Sequence, residues 1–349
     1  MLKHTCRLVL AVIAGFCMAT NAVAEVDLTG TYNIATLTPL QRPAQFGDRA
    51  SITKEEAKEI ADYWASNLAK DSAPSDPDRD APAKGGTEIY VPEFEGAAGG
   101  VGGYNAFYVD IGESNFSLDG KYRTSIITYP ENGRLPKLSP AAIKRFQEAA
   151  KYRNENTGTA WWLERGVGPY DNPENRPLAE RCILGFGSTA GPPALPVMYN
   201  NLKRIVQTDS HVIIINEMNH DARVVRLDST HLPPEQTSWL GDSIGHWEGD
   251  TLVVNTRNFN YEPGLFMATS QLHVEERFSR IDENTLRYSF TVNDPTWVEP
   301  WRGEYPWPAS NDKIFEYACH EGNYALGGIL RGARVLEAEA MAAAASGEE

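Results

Sequence analysis

Beyond residue 24 the sequence has no apolar run near the roughly 20 residues that a membrane-crossing helix needs. This excludes a helical membrane span in the mature chain. Positive charge is also scarce. With 32 Lys and Arg against 47 Asp and Glu, the formal charge is −15, so electrostatic attraction to nucleic acid or to an anionic lipid surface is not how this chain finds a partner. Short catalytic and metal signatures are missing as well. There is no His-x-His pair and no His-Glu-x-x-His run. Ser188, in the Gly/Pro-rich stretch Gly185–Pro193, lacks Gly-x-Ser-x-Gly spacing, and the glycine-rich Gly96–Gly103 has no strand and helix around it to make a phosphate loop. Asp76, Asp78 and Asp80 begin like a calcium loop, but Ala81 and Thr87 stand where glycine and glutamate are needed.

Cysteine is equally sparse, and its placement is informative. Residues 1–24 read as a secretory signal peptide, with Lys3 and Arg7 before the apolar Leu8–Met18 and Ala22-Val-Ala24 as the cleavage site. Its removal takes Cys6 and Cys17 and brings the formal charge to −17. Cys182 and Cys319 remain in a periplasmic or secreted protein, and a disulfide between them is the economical reading, with free thiols or thiolate metal ligands as alternatives.

What the chain does have is strand pattern. Arg204–Glu217, Asp221–Asp228, Gly245–Asn255, Leu272–Phe278, Thr285–Val292 and Lys313–Cys319 are β-branched and aromatic runs parted by turn signals. Gly249-Asp250 predicts a hairpin that sets Trp247 opposite Leu252 and His246 opposite Val253. Asp282-Glu-Asn284 predicts a second hairpin, with Leu286, Tyr288, Phe290 and Val292 on its apolar face. Leu28–Ile34 and Arg123–Tyr129 also read as strands, as does Tyr104–Ile111. Helices are predicted after the capping box Thr53/Glu56, after Ser139-Pro140 with Ile143 and Phe146 inward, and over Ile329–Ala344. Asp71–Gly86 and Tyr152–Arg181 read as loops, and Pro295–Pro308, carrying Trp297, Trp301 and Trp307, as an aromatic loop at a barrel mouth or a plug.

The fold expected is mainly β: a single lipocalin-like antiparallel barrel over residues 25–334, with helical and loop insertions at about 45–103 and 138–200 and a C-terminal end at 335–349. The candidate chemistry rests on histidines beside carboxylates. In a strand, residues two apart share a face, so His273 projects with Glu275, and Glu217 shares a face with His211; His246 lies beside the hairpin tip, and His320 follows Cys319. If those faces turn inward, His246, His273, Glu275, Glu217 and His320 would form acid–base pairs near neutral pH, with Trp247, Trp297, Trp301 and Arg277 contacting the ligand. The classes this supports are an exported hydrolase, lyase or hydratase acting on a small apolar or aromatic molecule, a periplasmic carrier of such a molecule, and an interaction protein with a filled core. No cofactor is predicted; a divalent metal held by histidines and a carboxylate is the alternative use of the same residues. The oligomeric state is left open. For Arg204, Arg223, Arg226, Arg277, Arg280 and Arg287, cross-strand pairs with Glu275, Glu276 and Asp282 on the outer face are expected, over an inward arginine that binds a substrate carboxylate.

Three motifs, Gly245-His-Trp-Glu-Gly-Asp-Thr-Leu-Val-Val, Leu272-His-Val-Glu-Glu-Arg-Phe and Tyr317-Ala-Cys-His-Glu-Gly-Asn, together resemble a family of exported bacterial β-rich proteins. The resemblance runs from about Leu28 to Arg334. It implies export and approximate boundaries, and carries no chemistry. Gly30-Thr-Tyr32 is similar to the Gly-x-Trp opening of lipocalin-type barrels, with tyrosine in place of the tryptophan.

Overall fold

The computed structural model describes residues 26–71, 109–150, 152, 158–166 and 168–346. The predicted signal peptide, nearly all of the Asp71–Gly86 loop, the glycine-rich stretch and most of Tyr104–Ile111 lie outside them. The chain is mainly β. Ten strands form one curled half-barrel sheet: β1 (Gly30–Asn33), β5 (Ile127–Tyr129), β6 (Leu202–Gln207), β7 (His211–Asn216), β8 (Ala222–Leu227), β9 (Asp242–Glu248), β10 (Thr251–Arg257), β11 (His273–Asp282), β12 (Thr285–Asn293) and β13 (Trp301–Pro308). Their order is β1-β6-β7-β8-β9-β10-β11-β12-β13-β5. Every neighbouring pair is antiparallel except β8 and β9, which the long connection 228–241 brings into parallel register. A small sheet holds β2 (Ser51–Ile52), β3 (Ser117–Leu118) and β4 (Lys121–Arg123) in the order β2-β4-β3. At the margins of the curl Tyr32 bridges Ala309, and Ser310 N–H donates to Thr31 O at 2.8 Å.

Both hairpins follow their turn chemistry. Gly249 sits at φ 59°, and the register pairs Leu252 with Trp247 and Val253 with His246, as the sequence predicts. The second turn connects β11 to β12, and Leu286, Tyr288, Phe290 and Val292 are buried. Alternation fills the concave face with Phe278, Tyr288, Tyr305, Trp301 and Trp307, all under 2% exposed. The rings pack on one another, with Tyr288–Trp307 centroids 4.7 Å apart and Phe278–Tyr288 5.0 Å apart. Burying each such side chain stabilises the fold by about 1.5–3 kcal/mol. Ala194, from the Gly/Pro-rich segment, closes onto this face: its N–H donates to Tyr288 Oη at 2.9 Å, and its O accepts from Tyr305 Oη at 2.8 Å.

Several expected elements differ. Pro295–Pro308 is no loop: its second half is β13, and Trp297, Trp301 and Trp307 lie in the core. Prolines are tolerated there because Glu304 N–H donates to Ile126 O, on the β5 side, so Pro306 and Pro308 direct their missing donors to the same sparsely covered edge. Arg123–Tyr129 divides into β4 and β5, one in each sheet. Lys313–Cys319 is not a strand, and Cys319 opens the short helix α4 (Cys319–Gly322). The capping box at Thr53 holds, with Glu56 N–H donating to Thr53 Oγ1 at 3.1 Å and Thr53 N–H to Glu56 Oε2 at 2.8 Å, and it starts α1 (Lys54–Asp71). Ser139 caps α2 (Pro140–Ala150), but Ala142 takes the buried position and Ile143 is exposed. The C-terminal helix α5 (Tyr324–Ser346) starts earlier than the Ala/Glu-rich pattern suggests. It packs on the loop that holds α3 (Trp161–Arg165), with Ala333 against Ala160 and Trp162 and a 2.7 Å bond from Trp162 Nε1 to Glu337. Cys182 and Cys319 form the expected disulfide, with a Cα–Cα distance of 5.8 Å.

Candidate functional site

The predicted site residues fall into three places. The first is the convex face of the sheet. His246, His273, Glu275 and Arg277 point away from the packed interior, because the alternation that buries Gly245, Val274, Glu276 and Phe278 leaves them outside. His246 Nε2 lies 3.2 Å from Glu248 Oε1, Arg277 donates to Glu248 at 2.5 Å, and Arg277 reaches Glu275 at 3.5 Å. Arg277 first, then His246, hold the Glu248 carboxyl below its usual range. These groups are solvated, so the pairs contribute little to stability.

The second place is the core. Trp297 and Trp301 are buried there and Trp247 packs against it, and the indole N–H groups of all three have no acceptor. One arginine also turns inward, and its partner Glu276 is not on the outer face as expected. Arg223 and Glu276 are almost fully buried and form a two-bond ion pair, while Tyr288 Oη donates to Glu276 Oε1 at 2.7 Å. Burial pushes the Arg223 guanidinium down, and Glu276 more than offsets it, so the net direction is up.

The third place gathers Glu217 and His320 with groups the motifs did not mark. The turn from β7 to β8 carries Asn219 at φ 57° and His220 at φ 53°, both in the left-handed region that non-glycine residues enter at a cost. Below the turn, on β6, Lys203 is 0% exposed and its Nζ has no hydrogen-bond partner. Burial pushes the Lys203 ammonium down to about 7, opposed by the fields of Glu217 and then Asp221. Burial likewise pushes the Asp221 carboxyl up to about 6, against the N–H of Gly185, which donates to it at 3.1 Å, and against Lys203 and His220. Glu217 is 9% exposed, and burial raises its carboxyl too, opposed first by the Leu202 N–H. The buried Asn216 Oδ1 and Asn219 Nδ2 also have no partner.

A cleft of about 210 Å³ opens above this turn, lined by Asn219, His220, the disulfide, His320 and Glu321. His220 Nε2 lies 3.0 Å from Tyr317 N and 3.2 Å from Phe315 O, so the ring is tied to the 315–317 segment. The disulfide holds this wall of the cleft against the β7–β8 turn, with Asn323 Nδ2 donating to Glu180 O at 2.7 Å beside it. Amine and carboxyls pushed toward neutrality from opposite sides suit proton transfer. Lys203 and Asp221 were missed because Lys203 lies in an alternating strand that reads as ordinary, and only the register Lys203↔Asn216 carries it inward.

One further pair was also missed. His231 Nδ1 bonds Asp242 Oδ2 at 2.8 Å with both side chains 9% exposed, and Arg226 reaches the same carboxylate at 3.0 Å. His273 stands nearby, bonded to Asn255 at 3.1 Å, and its pKa is lowered by desolvation first and by His231 second. Among the described residues no group of three or more His, Cys, Asp or Glu is placed to hold a metal ion, and no described helix is long and apolar enough to cross a membrane. No protein-family profile matches the chain, and neither the curated proteins nor the solved structures contain a significant match to it.

Proposed function

We propose that this is an exported acid–base enzyme of hydrolase, lyase or hydratase type, acting on a small, largely apolar molecule in the cleft at the β7–β8 turn. The observation that carries this reading is Lys203: a fully buried amine with no hydrogen-bond partner, influenced by Glu217 and by Asp221, which adjoins the cleft residue His220 in the β7–β8 turn. Asp221, half-buried beside the cleft residues, is the group that moves the proton. Lys203 sits behind it and tunes its protonation. Glu217 completes the buried charge, and His220 and His320 orient the bound molecule. The half-barrel serves as a lipocalin-like scaffold whose filled interior keeps the turn rigid.

The test is a substrate screen with protein purified from the periplasm, followed by Asp221→Asn. Removing a general base costs about 10²–10⁴-fold in turnover. An Asp221→Asn variant with an intact circular dichroism spectrum and unchanged turnover would overturn the assignment. The rate should rise with pH through about 6, as the Asp221 carboxyl ionises. Lys203 lowers that pKa, so Lys203→Met should move this limb to higher pH.

A second reading, a carrier of a small apolar molecule, is favoured by the buried indole N–H groups of Trp247, Trp297 and Trp301, which have no acceptor. Native mass spectrometry separates the two, since a carrier retains a stoichiometric organic molecule and an enzyme is recovered without one.

A further inference from the structure

Independently of the β7–β8 turn, we propose that the cleft between the small sheet and β5 is a binding site for a small monocarboxylate, built on Arg42 and Arg123. The cleft measures about 330 Å³, and both arginines line it. Arg42 is only 4% exposed. Its Nε donates to Thr124 Oγ1 at 3.1 Å and its Nη2 to Glu131 O at 3.1 Å, while Nη1 has no partner. Among the described residues no carboxylate lies within ion-pair distance of it. Arginine keeps its proton at any ordinary pH, so this is a buried cation with no ion-pair partner, an arrangement that an anion in the cleft would complete. Burial lowers the Arg42 pKa, and the field of Asp48 only partly offsets this.

The guanidinium is held in place. The main-chain N–H of Arg42 also donates to Gly133 O at 2.8 Å. Gly133, at φ +69°, lies so close that a Cβ would stand 2.5 Å from Ser125 Oγ and 3.0 Å from Arg42, so the turn closes over the arginine only as glycine. Arg123, on β4, supplies the second donor. Its Nη2 is taken by Glu304 at 3.1 Å, but its Nε is buried without a partner. Both arginines line one cleft, and each keeps one buried guanidinium nitrogen without a partner, donors of the kind a carboxylate takes. Asp48 and Glu131 at the rim carry exposed side chains that disfavour dianions. This sets the ligand class as a monocarboxylate and not a phosphate.

The experiment uses sodium benzoate as the probe, benzamide as its neutral match and inorganic phosphate as the dianion, followed by calorimetry and amide chemical shifts on the full mature chain. The expected result is saturable benzoate binding, at least ten-fold weaker benzamide and phosphate, and at least ten-fold weaker benzoate in Arg42→Gln and in Arg123→Gln. Asp221→Asn should bind benzoate unchanged, which separates this site from the proposed active site. Absence of benzoate binding, equal binding of benzamide, tighter binding of phosphate, or full affinity in the arginine variants would each overturn the proposal. Arg42 also bonds Thr124 and the 131–133 turn; if its variant fails to fold, Arg123→Gln decides by the same ten-fold criterion.

Discussion

Lys203 is the residue whose cost most needs a function to explain it. Its folded pKa of about 7 lies below the ordinary 10.5, so between these values the unfolded chain binds more protons than the native one. Stability from this group therefore climbs as pH rises from about 7 to about 10.5, and the whole penalty is present below 7. Asp221 has the opposite sign: its folded pKa of about 6 lies above 3.8, so its contribution falls as pH rises from 3.8 to about 6. Lys203→Met should raise the free energy of denaturant unfolding at pH 6 by a few kcal/mol, at about 1.4 kcal/mol per pKa unit. The gain should shrink toward zero near pH 10.5, which chemical denaturation across that range checks. A variant destabilised at pH 6 would show that Lys203 is satisfied in the native fold. No sequence pattern marks this lysine, because a buried amine and a solvated one have the same spacing in an alternating strand. Glu217 was proposed for the strand face it shares with His211, and His320 because it follows a cysteine.

At the scale of elements, the strands and their hairpins were legible because turn residues and period-2 alternation act locally. Gly249-Asp250 sets the Trp247↔Leu252 register by itself. What local pattern cannot convey is which strand borders which and which face turns inward. The parallel β8–β9 pair, the division of Arg123–Tyr129 between two sheets and the incorporation of the proline-rich Trp301–Pro308 as a strand all depend on distant partners. The inward face also explains the arginine pattern, since Arg223 alone of that series pairs with Glu276 in the core. Glu276→Gln should cost about 3–5 kcal/mol, because it leaves the Arg223 charge buried without its partner, whereas Arg223→Met combined with Glu276→Leu should recover most of the loss. Thermal unfolding of the two variants checks this, and a harmless Glu276→Gln would mean that water reaches the pair. The histidine faces His246 and His273 were read as a shared interior cluster; their strands place them outside, where Glu248 is the partner of His246 and His231, on the 228–241 connection, is a neighbour of His273.

For the whole molecule, the curled sheet forms one core, and the C-terminal segment is tied back to it. The Cys182–Cys319 bridge spans 137 residues and forms part of the cleft wall. In the chain-entropy description a loop of that length stabilises by about 5 kcal/mol. The Cys182→Ser/Cys319→Ser variant should therefore unfold at a lower temperature and expose α5 to trypsin at Arg331 and Arg334. Unchanged melting and proteolysis would assign the hold on α5 to Trp162 and Glu337 instead. The disulfide is compatible with export, and the cleft it borders is where the proposed chemistry takes place. The most direct measurement is a pH titration of the Asp221 side-chain carboxyl carbon by nuclear magnetic resonance, in the wild type and in Lys203→Met. The predicted result is a midpoint near 6 that moves upward when the amine is removed. A midpoint near 4 in both proteins would show an ordinary solvated aspartate and contradict an acid–base site at the β7–β8 turn.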